Sequence, residues 1–221
     1  MPSERWSSEM RRIVQGSILI AALSLAGCAT PPPDLPPLLS ISESNCDSVP
    51  DLAGAIPTVA TVEGDDVKPA GVTLDIGSHC LNNKDGKALY AVFALPDGGP
   101  YTVSLGSVPV GRAIFAPRAS ILDAQGTPVR DLPVTGFMFR GDAFTALYRS
   151  HPGESYLLVT SDPATVGKSL QQLHETVQHT YISTGTAIVV INTGSDVASD
   201  TTWAHNGHIY VTVVSDKPPK K

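Results

Sequence analysis

The sequence predicts a mainly β domain, a β-sandwich of jelly-roll or Ig-like type with one short helix near its C-terminal part. Three observations point there. Apolar stretches of strand length recur from about residue 71 onward, and several alternate with period two. Gly, Pro, Asn and Asp clusters separate them, with 19 Gly and 19 Pro in 221 residues. No regular alternation of strands with long helices appears, as a parallel α/β sheet would require.

The chain begins with a segment outside that domain. Arg11 and Arg12 precede an apolar run over residues 13–25, shorter than the roughly 20 residues that span a bilayer. Residues 25–28 read LAGC. This is the layout of a secretory signal peptide whose end resembles a lipobox. The resemblance implies cleavage before Cys28 and palmitate-type acylation of that cysteine, so residues 1–27 are read as a lipoprotein signal peptide. The alternative is an ordinary signal peptide with a chance cysteine. Ala29 follows Cys28; the lack of aspartate there resembles the outer-membrane default of proteobacterial lipoproteins. The expected location is the outer membrane, lipid-anchored and facing the periplasm.

Residues 28–45 form the lipidated cysteine and a tether, whose proline-rich part favours extended polyproline II backbone. The domain is expected over residues 46–216, with 41–70 irregular and leaning on it, and 217–221 as a basic, solvated tail. Strands are expected at 72–76, 88–95 and 101–105, with turns at 82–86 and 96–100 between them. A bent pair follows at 113–122, broken by Pro117, then strands at 143–148 and 155–160. Asp162 as N-cap, Pro163 at the first helical position, and Val166, Leu170, Leu173 and Val177 at helical spacing predict the short helix. Residues 187–191 and 208–214 close the fold, the last with Ile209, Val211 and Val213 on one face.

With Cys28 taken by lipid, Cys46 and Cys80 remain. In an oxidising compartment they read as one disulfide, closing a loop of about 35 residues and contributing about 3–4 kcal/mol. The alternative is two buried, unpaired thiols.

The segment 114–172 resembles the maltose operon periplasmic protein family. The residues that carry the likeness are Ile114, Phe115, Ala116 and Pro117, then Ile121, Leu122 and Asp123, with Thr127 and Pro128. Phe137, Met138 and Phe139, Leu147 and Tyr148, residues 155–161, and Leu170, Gln171 and Gln172 continue it. Residues 205–213 resemble the family's last strand. The resemblance implies an envelope protein accessory to carbohydrate transport, here with a lipid anchor, and it carries no catalytic or ligand residues to this chain.

Removing residues 1–27 leaves 12 basic and 19 acidic residues from 15 and 21, a net charge near −7. An acidic chain without a basic cluster is a poor nucleic-acid binder. No nucleophile elbow, HExxH or Walker motif appears. His205 and His208 flank an Asn-Gly turn and lack third and fourth metal ligands. The chain is therefore read as non-enzymatic, without metal or cofactor, a hydrolase being the minor alternative. Carbohydrate binding would use an exposed aromatic with polar neighbours. Trp203, beside His205 and Asn206 in a polar stretch, and Tyr210 form the candidate platform; Phe137, Phe139 and Tyr148 form a second set, the alternative being that Phe139, Phe144 and Tyr148 fill the core. The alternative function is a structural or protein-interaction module of the envelope. The expected partners are a membrane, through the lipid, and maltodextrin or an envelope protein.

Overall fold

The computed structural model describes residues 38–216, apart from 43–44, 63–64 and 184–187. All belong to the second of two compact units, 36–221. The signal peptide, Cys28, the tether before residue 38, Glu63, Ala187 and the basic tail lie outside the described residues.

Fifteen described strands follow in chain order: β1 (Ile56–Pro57), β2 (Ala60–Val62), β3 (Ala70–Leu74), β4 (Cys80–Asn83), β5 (Gly86–Ala94), β6 (Tyr101–Val108), β7 (Ala113–Phe115), β8 (Pro117–Leu122), β9 (Pro128–Leu132), β10 (Phe137–Arg140), β11 (Ala143–Arg149), β12 (Tyr156–Ser161), β13 (Ser169–Ser183), β14 (Ile188–Ala204) and β15 (Gly207–Ser215). One sheet runs β1-β5-β12-β8-β9, with β4 also on β5. A second runs β10-β11-β6-β15-β2, with β3 also on β15. Most pairings are antiparallel; β1–β5, β15–β2 and β14–β7 are parallel.

The core lies between these two sheets. Val103 and Leu105 of β6, Leu157 and Val159 of β12, and Ile209, Val211 and Val213 of β15 are all buried in one cluster. Their alternation with outward Thr102, Ser104 and Tyr210 is the period-two pattern that puts one face of each strand inside. Each such side chain contributes about 1.5–3 kcal/mol by leaving water. Strand β5 is different, being buried on both faces, which explains its unbroken apolar run. Leu89, Ala91 and Phe93 enter the main core. Tyr90 and Val92 join Leu81, Leu122 and Leu158 in a second cluster, against which Leu52 and Ala55 of the N-terminal segment pack.

That segment is clipped down by a Cys46–Cys80 disulfide. Asp47 N–H donates to the Cys80 carbonyl at 2.8 Å, and Asn82 N–H to the Asp47 carbonyl at 2.8 Å. The Asp51 amide donates to Tyr90 Oη at 2.9 Å. The expected lean of residues 41–70 on the domain thus has a backbone ladder and a covalent staple, with two short edge strands, β1 and β2, inside it.

The expected helix is absent, and its residues form one turn and then a strand. Asp162 does cap a turn: its carboxylate accepts from Ala164 N–H at 3.3 Å and Thr165 Oγ1 at 2.6 Å. Its carbonyl accepts from Val166 N–H at 3.1 Å. Gly167, at φ +88°, then takes the left-handed conformation that ends a helical turn. From Ser169 the chain is extended. The capping signals are real but serve a single turn, and β-branched Thr176, Val177, Thr180 and Ile182 suit a strand.

Candidate functional site

Trp203 is not an exposed platform. It lies on β14 rather than in a loop, is 9% exposed, and sits with buried Ile114 and Ala116. Partly buried Phe139, Phe144, Val166 and Leu170 pack against the same cluster. Phe144 meets Trp203 edge-on at 4.9 Å, and Phe139 lies at 6.4 Å. Its backbone is fixed as well: Trp203 N–H donates to the Lys168 carbonyl at 3.0 Å, and its carbonyl accepts from Gly167 N–H at 2.8 Å. The flanking polar residues Thr202 and His205 disguised an inward position on a strand whose neighbours come from distant sequence. The second aromatic set is also internal. Phe137 and Tyr148 are buried in the main core, and Phe137 stacks on Phe144 at 5.4 Å.

His205 and Asn206 form the turn between β14 and β15 and are half-buried. His205 Nδ1 lies 2.7 Å from Ser161 Oγ, which also accepts Leu89 N–H at 3.0 Å. The serine hydroxyl can then give its proton to Nδ1 of a neutral imidazole. Burial lowers the His205 pKa from its ordinary value. The unfolded chain therefore takes up this proton more readily than the folded one. The contribution is fully present above about pH 6.5 and is lost as pH falls through the folded value. Melting curves recorded on descending from about pH 8 to 5 should fall more steeply for the wild type than for His205→Gln. Parallel slopes for the two proteins would remove His205 from the acid response.

Tyr210 stands apart from Trp203, on the outer face of the β10-β11-β6-β15-β2 sheet. Its register partner is Gly106. A Cβ on Gly106 would fall 2.2–2.5 Å from the phenol ring, so the ring lies across the glycine and closes over its backbone. An open groove of about 550 Å³ runs beside it, bordered by Val67, Pro69, Val108, His208 and Thr212. His208 Nδ1 is 3.1 Å from Thr73 Oγ1. Of the four residues expected to form one platform, only Tyr210 has an open aromatic face; Trp203 is core and His205 turns to Ser161.

Several carboxylates meet arginines. Glu154 pairs with Arg130 at 2.7 Å. Arg118 reaches Asp85 at 2.6 Å and Asp162 at 3.5 Å, and the first contact holds the Asp85 carboxyl below its usual range. Among the described residues no group of three or more His, Cys, Asp or Glu is arranged to hold a metal ion. No helix among them is long and apolar enough to cross a membrane.

The feature least legible in the sequence is a long hairpin. Strands β13 and β14 have 15 and 17 residues and pair without a register shift from Ser169↔Thr202 to Ser183↔Ile188. At about 3.3 Å per residue this ribbon is roughly 50 Å long. Only its base joins the sandwich: Thr202, Trp203 and Ala204 pair with Ala113, Ile114 and Phe115 of β7. No other strand among the described residues pairs with it. Trp203 is thus the foot of an arm. Near the far end Tyr181 is 69% exposed, its register partner Val190 48% and Ile191 43%.

No protein-family model matches the chain, and no curated protein matches it.

Proposed function

We propose that this chain is an outer-membrane-anchored, periplasm-facing lipoprotein whose folded domain is a protein-interaction module, with the β13–β14 arm as its contact element. The anchor rests on residues 25–28 and Cys28. The interaction reading rests on the arm. A two-stranded ribbon is marginal by itself, and three or more strands or a covering surface are needed for independent stability. This ribbon has two strands along most of its length and exposes the register partners Tyr181 and Val190 on one face near one end, with Ile191 on the other face. Scattered exposed apolar residues are ordinary, but apolar residues exposed on both faces of an element with so few other strand partners mark a contact surface.

A photo-crosslinking amino acid placed at Tyr181 in living cells should give protein adducts. The same probe at Leu147, exposed on a sheet face, should give few. Joining Leu170 to Thr201 through a two-residue Asn-Gly turn should abolish the function while leaving the sandwich folded, because the two residues are already register partners. Adducts at Leu147 and none at Tyr181 would sink this reading.

The Tyr210 groove supports a second reading, binding of glucose oligomers, in keeping with the resemblance to the maltose operon family. A tyrosine face with His208 and Thr212 beside it offers one stacking surface and polar neighbours. Maltodextrin titration followed by amide chemical shifts should then move residues of β15, and Tyr210→Ala should lose the response. No shift at millimolar sugar would discard it.

A further inference from the structure

We infer that the arm docks against a second copy of this chain, strand β13 of one copy pairing antiparallel with β13 of the other. This inference rests on the reading of the arm as the contact element. The two edges of the ribbon are not equivalent. Beyond its pairing with β13, β14 is engaged at its base by β7, and Arg112 Nε donates to the Asp200 carbonyl at 3.3 Å. Strand β13 has β14 as its one strand partner among the described residues from Ser169 to Ser183.

Natural edges are guarded by lysine, proline, bulges or short length. Residues 169–204 contain no lysine, arginine or proline, the β13–β14 register has no bulge, and β13 is 15 residues long. Such an edge is a template for another strand. The sequence also favours a copy of itself as that strand. A two-fold axis places residue i of one copy opposite residue j of the other and j opposite i. Like charges placed directly opposite would oppose the pairing. Strand β13 has one acidic residue, Glu175, and neither lysine nor arginine, and with histidine neutral residues 176–195 carry no formal charge. Every register not centred on Glu175 therefore sets no like acidic charges opposite each other. The product is a four-stranded sheet, β14-β13-β13-β14, which meets the strand number that the lone ribbon lacks. A lipid bilayer is the poorer occupant, because an open ribbon entering hydrocarbon would leave its edge amides and carbonyls unsatisfied.

The test is sedimentation equilibrium of the acylated chain in mild detergent. The wild type should be dimeric at micromolar concentration. Replacing Thr180 and Tyr181, both exposed, with lysine should raise the dimer dissociation constant at least roughly tenfold. Leu147→Lys, on the sandwich, should leave it unchanged. Unaltered far-ultraviolet circular dichroism would show that the variants fold. A monomeric wild type, or a Thr180/Tyr181 variant as dimeric as the wild type, overturns self-pairing. Monomer that binds phosphatidylcholine/phosphatidylglycerol vesicles through the same two residues overturns it in favour of a membrane contact. Monomer that still yields Tyr181 adducts with other proteins overturns self-pairing alone, and monomer without such adducts overturns the interaction reading as well.

Discussion

Trp203→Ala should cost about 3–5 kcal/mol of unfolding free energy, the usual range for a buried tryptophan cut back to a methyl. The indole fills the space between Ile114 and Ala116 on one side and Phe139 and Phe144 on the other. Its removal leaves a cavity that three separate elements would have to close. Trp203→Phe should recover much of the loss, because a ring still meets Phe144. Denaturant titrations followed by circular dichroism measure both. A second readout separates foot from filler. The arm joins the sandwich through Thr202–Ala204, so hydrogen exchange at the amides of Trp203 and Gly167, both bonded at the base, should quicken in the alanine variant. A loss below about 1 kcal/mol would show that the site collapses cheaply or that Trp203 is not enclosed as described.

The sandwich was legible because its strands obey local rules. Alternating Ile209, Val211 and Val213 and the turn residues around Asn82 and Gly98 need no knowledge of their neighbours. Strand β5 shows where such rules weaken. Its continuous apolar run gives its type, but its second cover comes from Leu52 and Ala55, about 35 residues away. The arm is hidden in the sequence for a related reason. Asp162 and Pro163 present helix-start chemistry, and Val166, Leu170, Leu173 and Val177 match a helical stripe. Gly167 cuts the turn, and a fifteen-residue ladder with β14 then decides the backbone. Pairing across that distance overrides a local period. Trp203 followed the same logic: polar neighbours in sequence suggested exposure, while β7, β10 and β11 enclose it in space. Tyr210 lies across a glycine on its partner strand, which no local pattern announces.

Breaking the Cys46–Cys80 link should be the other large loss. The two residues are 34 apart in sequence with Cα atoms 4.7 Å apart. Chain-entropy arguments give a loop of that length about 3–4 kcal/mol, so Cys46→Ser with Cys80→Ser should lower the melting temperature by roughly 10 °C. The damage should be local before it is global. Without the staple the segment near Asp47 keeps its two ladder bonds to Cys80 and Asn82, the Asn82 side-chain bond to the Cys46 carbonyl, the Tyr90 contacts with Asp47 and Asp51, and the packing of Ile41, Leu52 and Ala55. If it lifts, Tyr90 and Val92 lose their cover while Leu89, Ala91 and Phe93 stay between the sheets. Exchange at the Asn82 amide should therefore quicken at reductant concentrations that leave the Val211 and Val213 amides protected. Uniform loss of protection across both sheets would mean instead that the clip and the sandwich unfold as one unit, and that the N-terminal segment is part of the cooperative core rather than a cover fastened over it.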